Sequence, residues 1–598
     1  MPPHGRINPA AKAKDFKGTL KKTIKYIGGY KIGVIAVMIC AAVSAVFHIV
    51  GPKVLGKATT ALSEGLMGKI AGTGEIDFGR IGTILLTVLG LYGISYVFSL
   101  IQGFTMTNIT QKLCYKLRKE ITEKINRMPL KYFESRTYGE VLSRITNDVD
   151  TFGNGFNQSV TQLITSVTTM IGVVVMMLTI SPLMTLITLL ILPISLIFIS
   201  IVMKKSQKYF KQQQAYLGHI NGQVEENYSG HLVVKAYGKE KDVIEKFDET
   251  NGTLFESAWK SQFLSGLMMP VMQFVGNLGY VGVAISGAFL AIQGTIEIGD
   301  IQAFIAYVKN FTQPMQQIAQ VTNMMQSMVA AVERVFEFLE EEEEDQVTEN
   351  AVSVSDVKGI VDFKHVRFGY DPEQIIIKDF NAHVDQGRQI AIVGPTGAGK
   401  TTMVKLLMRF YDVNGGSIEL DGHDLKAYNR NELRSAFGMV LQDTWLFKGS
   451  IMENIRYGRL DASDEEVIAA AKSAHADHFI RTLPGGYDFE LNEDATNVSA
   501  GQRQLLTIAR AILADNPVLI LDEATSSVDT RTEQRIQRAM DNLMKGRTSF
   551  IIAHRLSTIR NADLILVMKE GDIIEQGDHD ELMKQNGFYA ELYNAQFA

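Results

Sequence analysis

Between Thr151 and Met203 the chain carries no Asp, Glu, Lys or Arg. A membrane-spanning helix needs about 20 consecutive apolar residues, so this stretch holds more than one. Ser181–Pro182 sits near its middle. Proline disfavours helical backbone in the residue before it, which predicts two helices joined by a tight turn. Ile32–Pro52, Ile81–Gln111 and Ser261–Ile296 are also free of charge, and Ile301–Val332 is interrupted only by Lys309. Six spans follow, and so many long runs exclude a bundle of buried soluble helices.

Lys and Arg near the span ends set orientation. The N-terminal segment, Lys112–Arg144 and Lys204–Lys260 are dense in both, whereas the turns at Ser181–Pro182 and Gly294–Asp300 carry neither. This predicts a multi-pass protein of the cell (inner) membrane with both termini and two long loops in the cytoplasm. Those loops have helical patterning, so spans two to five should continue beyond the bilayer. Asp15–Tyr30 reads as an amphipathic helix on the inner surface. The N-terminus lacks the pattern of a secretory signal.

Composition narrows the rest. A chain of 598 residues exceeds a single core, its net charge of −6 points away from nucleic acid, and two cysteines exclude a disulfide framework. The expected division is residues 1–30 as N-terminus and surface helix, 31–335 as membrane domain, 336–358 as a solvated linker containing the acidic run Glu340–Asp345, and 359–598 as a soluble α/β domain.

That last part carries the chemistry. Gly394–Thr401 reads GPTGAGKT, after the apolar run Gln389–Val393 and before the helical-looking Thr402–Phe410. This is the strand–loop–helix setting of a phosphate-binding loop. Backbone N–H groups of Gly394, Thr396, Gly397, Ala398 and Gly399 curl around phosphate oxygens, with Pro395 shaping the turn, ahead of a helix N-terminus that includes Thr402. Lys400 supplies a cation for the β- and γ-phosphates, and the Thr401 hydroxyl can ligate Mg²⁺. Val518–Glu523 is a buried-strand pattern ending in two carboxylates. Asp522 there suits the Mg²⁺ shell, and Glu523 is placed as general base for the attacking water. Ser499 and Gly501 open a helix and can offer a hydroxyl and N–H groups to an anion. Gln442 follows the strand Phe437–Leu441 and can reach metal and water. His554, after the strand Ser549–Ala553, can donate to a γ-phosphate. Tyr370 can stack on adenine.

GPTGAGKTT, VLQD, VSAGQRQ, LILDEATSSVD and IIAHR, in this order and spacing, resemble the ATP-binding cassette domain. With six spans ahead of it, the chain is similar to half-transporters of the exporter type. Lys131–Gly139 and Gly230–Tyr237 resemble that family's intracellular-loop segments. The resemblance implies a six-helix all-α transmembrane domain, domain-swapped in a dimer, followed by a cytosolic α/β P-loop ATPase. It implies ATP and Mg²⁺ as ligands, held between the phosphate loop of one chain and the signature of a second half-transporter chain, with Asp529 beside them. It further implies short coupling helices, expected near Tyr132–Glu140 and Tyr216–Glu225. The usual signature is LSGGQ; here Ser499, Gly501 and Gln502 are kept, but Ala500 places a Cβ where backbone should lie against phosphate. An intact set of Lys400, Gln442, Asp522, Glu523 and His554 joined to an altered signature resembles one subunit of heterodimeric bacterial multidrug exporters, although a homodimer can tolerate alanine there.

In the sixth span Gln313, Gln316, Gln317 and Gln320 fall on one face, extended by Asn310, Asn323 and Gln326. Amides facing lipid are costly, so the stripe faces other helices or a wet cavity. Lys309 either snorkels to the surface or serves the cavity, and His48 reads as packed. The expected function is ATP-driven efflux of hydrophobic or amphipathic compounds. The alternatives are a lipid flippase and a regulatory or gating subunit using ATP as a ligand.

Overall fold

The computed structural model describes residues 13–345, 347–371, 373–441, 444–522, 529–552 and 556–597. The chain forms two compact units. One takes the residues up to Glu123 together with Tyr138–Glu341; the other takes Lys124–Thr137 and Glu342–Ala598.

The first unit is helical. A short helix, Phe16–Tyr26, is capped by the Asp15 carboxylate, which accepts from the Gly18 N–H. Long helices follow at Lys31–Ile70, Phe78–Ile125, Val149–Ile180, Pro182–Ser229 and Ile298–Leu339, with a further crossing built from Glu240–Gly266 and Met268–Ile292. Ser181 is extended (φ −156°, ψ 115°) and caps the helix that Pro182 begins, so the turn falls at the expected Ser–Pro step. Among the described residues, the segments Phe16–Ile70, Phe78–Ile125, Tyr138–Ile180 and Glu240–Ile292 are long and apolar enough to cross a membrane. Pro182–Ser229 and Ile298–Leu339, of 48 and 42 residues, are long helices at the places of the fourth and sixth expected spans. Large apolar side chains such as Leu86, Leu89, Ile285 and Phe289 stand exposed on these helices, as a lipid-facing surface requires.

Polar contacts fix the last long helix within this unit. Tyr307 donates to the Ile49 carbonyl at 2.9 Å, and the Gly299 N–H donates to Thr60 Oγ1 at 3.1 Å. Glu333 accepts from the backbone N–H groups of Lys14 and Asp15, which pins the start of the surface helix. A π-helical turn, Arg144–Asp148, precedes the third long helix. It presents the buried Asp148 carboxylate to Arg334, whose Nε donates at 3.0 Å and whose Nη2 donates to the other oxygen.

The intracellular segments differ in how they match expectation. The first loop folds into short helices at Leu130–Glu134 and Tyr138–Ser143. Residues 216–225 do not form a separate short helix. They remain inside Pro182–Ser229, and the chain breaks only at Gly230, after which His231–Ala236 forms the short helix. Gly218 and Gly222 each weaken a helix by only about 1 kcal/mol, which packing against a neighbouring helix overrides. The last long helix runs on to Leu339, into the stretch read as linker, and the acidic run is not merely solvated. Glu343 pairs with Lys124 and Arg127, and Glu344 with Arg434.

In the second unit a six-stranded sheet has the order Asp572–Gly577, Leu564–Lys569, Gln389–Val393, Thr548–Ile552, Val518–Asp522, Phe437–Val440. All neighbours pair in parallel except the first two, which are antiparallel. Parallel strands covered on both faces read as continuous apolar runs, and alternate residues here feed two cores. Ile390, Ile392, Ile520, Phe550 and Leu566 enter one, while Ala391, Val393, Leu521, Ile551 and Val567 enter the other. A four-stranded antiparallel sheet, ordered Ile377–Val384, Val361–Phe368, Gly415–Leu420, His423–Asp424, completes the first of these cores.

Candidate functional site

The phosphate loop leaves the carboxyl end of Gln389–Val393, one of the sheet's inner strands. Helix Lys400–Leu407 follows it, shorter than the Thr402–Phe410 reading at its far end and longer at its start. Gly394 has φ +154°, and a Cβ built there would lie 2.3 Å from the Met568 carbonyl oxygen of the adjacent strand. Only glycine fits both that backbone and that approach. Pro395, Thr396 and Gly397 form an exposed tip, whereas Ala398 and Gly399 are buried beneath it. The first N–H groups of the helix have no partner within it, and they face the mouth of the loop as a cradle for anions.

Lys400 Nζ donates to the carbonyls of Gly394 (2.7 Å) and Pro395 (3.1 Å), bracing the loop across its own opening. Burial pushes its pKa below the usual lysine value, opposed by the charge of Asp522. Register explains why that carboxylate is in range. Ile552 pairs with Ile392 on one side and with Asp522 on the other, so the three strand ends stand side by side. Adjacent strands are about 4.8 Å apart, which places Asp522 two strands from the loop. The exposed Thr401 hydroxyl and the half-buried Asp522 carboxylate make a hard-oxygen pair of the kind Mg²⁺ prefers, so the residues present fit that ion. Thr402 is buried, with its hydroxyl 3.3 Å from that of Tyr370. Gln442, Glu523 and His554 lie outside the described residues.

The signature segment opens helix Ala500–Ala514. Ser499 and Gln502 form a reciprocal capping box. Ser499 Oγ accepts from the Gln502 N–H at 3.3 Å, and Gln502 Oε1 accepts from the Ser499 N–H at 2.9 Å. The Ser499 hydroxyl proton is not consumed by this cap. Ala500 is exposed in the first turn, with Gly501 buried behind it. Asp529 caps Thr530–Met544, accepting from Arg531 and Thr532. Hydrogen bonds from Thr532 and the local backbone hold its carboxyl below the usual range.

Tyr370 belongs to a cluster that motif reading missed. Its ring meets Tyr411 edge-on at 5.0 Å and Phe368 at 5.1 Å, and Lys405 Nζ lies 5.3 Å from its centroid. Lys405 and Tyr411 both donate to Glu134, at 2.6 and 2.5 Å, so helix Leu130–Glu134 is held beside that aromatic group within the second unit. Burial favours the neutral Glu134 carboxyl, but the bonds from Lys405 and Tyr411 and the lysine's charge outweigh it and lower its pKa. No local pattern in 124–137 names these partners.

The helical unit contains a polar cleft of about 570 Å³, lined among others by Ser44, His48, Tyr92, Ser95, Gln313 and Gln317. His48, expected to be packed, is exposed on the cleft wall, with its ring 5.8 Å from that of Tyr92. Gln317 accepts from the Ser166 hydroxyl at 2.9 Å, so that member of the amide stripe binds a neighbouring helix. The side chains of Gln316 and Asn323 lie outside the description.

Two family models match this chain: the ABC transporter transmembrane region over residues 34–315 and the ABC transporter domain over 377–526. The chain belongs to the ABC transporter family. It is an exporter-type half-transporter, one membrane region joined to one ATPase domain, and it hydrolyses ATP in coupling to transport. It is 45% identical to the uncharacterised ABC transporter ATP-binding protein YfiC of Bacillus subtilis (strain 168), across 98% of this chain and 96% of that protein. It is 42% identical to a fatty acid ABC transporter ATP-binding/permease protein of Mycobacterium tuberculosis (strain CDC 1551 / Oshkosh), across 98% of each. It is 34% identical to an ATP-dependent lipid A-core flippase of Syntrophus aciditrophicus (strain SB), across 86% and 85%.

Proposed function

We propose that this chain drives outward movement of hydrophobic or amphipathic molecules, lipid-like compounds among them, across the cell (inner) membrane. Both termini and the ATPase domain are then cytoplasmic. The observation that carries this is the register that aligns the phosphate loop and Asp522 at the ends of strands either side of Thr548–Ile552, in a chain whose other unit is a bundle of membrane-length helices. Two relatives bear names of lipid transporters, which favours amphiphiles over small polar solutes. Multidrug-type efflux fits the same reading, since the chain has 25 methionines, whose side chains re-pack around varied ligands.

In this reading Lys400 and the N–H groups of Gly394, Thr396, Gly397, Ala398, Gly399, Lys400, Thr401 and Thr402 bind the phosphates of ATP, with Pro395 shaping the turn. Tyr370 holds the base. Thr401, Gln442 and Asp522 hold Mg²⁺, which when bound neutralises phosphate charge. Glu523 takes the proton of the attacking water, and His554 donates to the phosphate that leaves. The Ser499–Gln502 segment and Asp529 serve the site on a partner chain. The exposed Ala500 methyl in that first turn favours a heterodimer in which this chain contributes the intact loop and its partner the better signature.

The test is steady-state ATP turnover and amphiphile movement in inside-out vesicles. Glu523→Gln should abolish both while leaving ATP binding intact. Undiminished turnover removes Glu523 from the mechanism, and a gating subunit would show ATP binding without turnover even when its partner chain is present. Expression alone should give little turnover; a fully active homodimer refutes the heterodimer.

A further inference from the structure

A second cleft lies in the helical unit between Met268–Ile292 and Ile298–Leu339, with a volume of about 680 Å³. Met269, Gln273, Asn277 and Tyr280 fall on one face of the first helix, and Ile305, Lys309 and Gln313 on one face of the second, so two stripes line it. Among the described residues Lys309 is its one cation, and no carboxylate lines it. Among the described residues Lys309 has no hydrogen bond or ion pair. It lies within the matched transmembrane region, eleven residues into its helix. At 1.5 Å per residue this is about 16 Å from the helix start, too deep for a lysine stem to carry its charge to that end.

Lys309 is exposed on the wall of the cleft, and a cation at that depth faces a wet cavity or a counter-charge, which an anionic ligand can supply. The remaining wall states what the anion is attached to. Met269, Met272, Ile305 and Val308 are apolar, and the methionines adapt to a flexible chain. Gln273 and Asn277 can donate to a second oxygen of the head. A Cβ built on Gly276 would meet no atom within 4 Å, so the cleft is open at its floor. Its volume falls within the roughly 300–1,000 Å³ of small-ligand sites, room for one tail rather than a two-tailed lipid.

Resting on the export of amphiphiles proposed above, we infer that this cleft is a binding site for single-tailed anionic amphiphiles, with Lys309 holding the head group. Lys309 thereby selects by charge, while the methionine-lined wall accepts the tail.

The test is equilibrium binding of radiolabelled palmitate to the full-length protein in phosphatidylcholine nanodiscs, without nucleotide. Hexadecanol, hexadecyltrimethylammonium and phosphatidylglycerol serve as competitors. Palmitate should bind at least about tenfold more tightly than the alcohol, as a charge-assisted hydrogen bond implies, and neither the cationic amphiphile nor phosphatidylglycerol should displace it. Lys309→Met should erase the preference for acid over alcohol, and Lys309→Arg should restore it. Gly276→Leu, which fills the floor and leaves the cation in place, should weaken acid and alcohol alike. An acid preference that survives Lys309→Met overturns the role of Lys309 and leaves amphiphile export standing. Full displacement by phosphatidylglycerol overturns the single-tail assignment. Failure of every amphiphile to bind overturns both this site and the proposed function.

Discussion

Substitution of Gly394 by alanine should destabilise the nucleotide-free protein sharply, and the same change at Gly397 should not. At Gly394 the added Cβ would sit 2.3 Å from the Met568 carbonyl oxygen, on a backbone with φ +154°. A residue forced into that glycine-only region costs about 1–3 kcal/mol, and overpacking about 1–3 kcal/mol more. At Gly397 the Cβ would meet nothing within 4 Å, and only φ of +84° opposes it, at about 1 kcal/mol. The two variants therefore differ by about 3 kcal/mol. At about 2–4 °C per kcal/mol for a unit of this size, Gly394→Ala should lower the unfolding midpoint by roughly 8–16 °C and Gly397→Ala by roughly 2–4 °C. The chain has two tryptophans, Trp259 and Trp445. In a Trp259→Phe background, fluorescence of Trp445 reports thermal unfolding of the unit that holds the loop. Equal destabilisation by the two variants refutes the steric account and leaves a generic glycine effect.

Breaking the Asp148–Arg334 pair from one side should cost about 3–5 kcal/mol, because a buried charge is left alone, whereas Asp148→Asn with Arg334→Met should approach the parent. A double-mutant cycle on thermal unfolding checks this, and additive losses refute it. His383 lies opposite Asp362 across two antiparallel strands, and the hydrogen bonds its ring donates to the carboxylates of Asp362 and then Asp385 raise its pKa against slight desolvation. A raised folded pKa stabilises below the unfolded value of about 6.5 and is lost as pH rises through the folded value. Stability should thus fall modestly, by less than about 1 kcal/mol for so exposed a pair, as pH rises above about 6.5, and His383→Gln should flatten that slope in the same melting assay. Glu134→Ala should detach helix Leu130–Glu134 from Lys405 and Tyr411, lowering transport per ATP hydrolysed while ATP binding persists; unchanged stoichiometry in vesicles counts against that link.

Much of the architecture is legible because its signals are local. Charge-free runs and a Ser–Pro step mark helices and their turn, and the buried strands end within a residue or so of their apolar runs. The phosphate loop shows itself through glycines at fixed offsets. What escapes is tertiary. Nothing around Glu134 says that Lys405 and Tyr411 will find it, since those partners lie hundreds of residues away. Gly218 and Gly222 resemble helix breakers, yet packing keeps residues 216–225 helical and moves the break to Gly230. The acidic run reads as solvated until Lys124, Arg127 and Arg434 come to meet it. His48 looks packed in an apolar stretch, because which face of a helix borders a cleft depends on neighbours from elsewhere in the chain.

The inclusion of Lys124–Thr137 in the ATPase-containing unit makes that unit discontinuous in the chain, entered once in passing and again for good. A protease cut at Glu341–Glu342 therefore severs only one of three covalent crossings. The ATPase fragment would stay tethered through Glu134, Lys405 and Tyr411 and through the Lys124 and Arg127 pairs with Glu343. Conversely, residues 342–598 made alone would lack a strip of their own surface, leaving Glu343 without Lys124 and Arg127. The unit that binds ATP is thus completed by a segment threaded in from the other half of the chain, and no single cut in the sequence yields it whole.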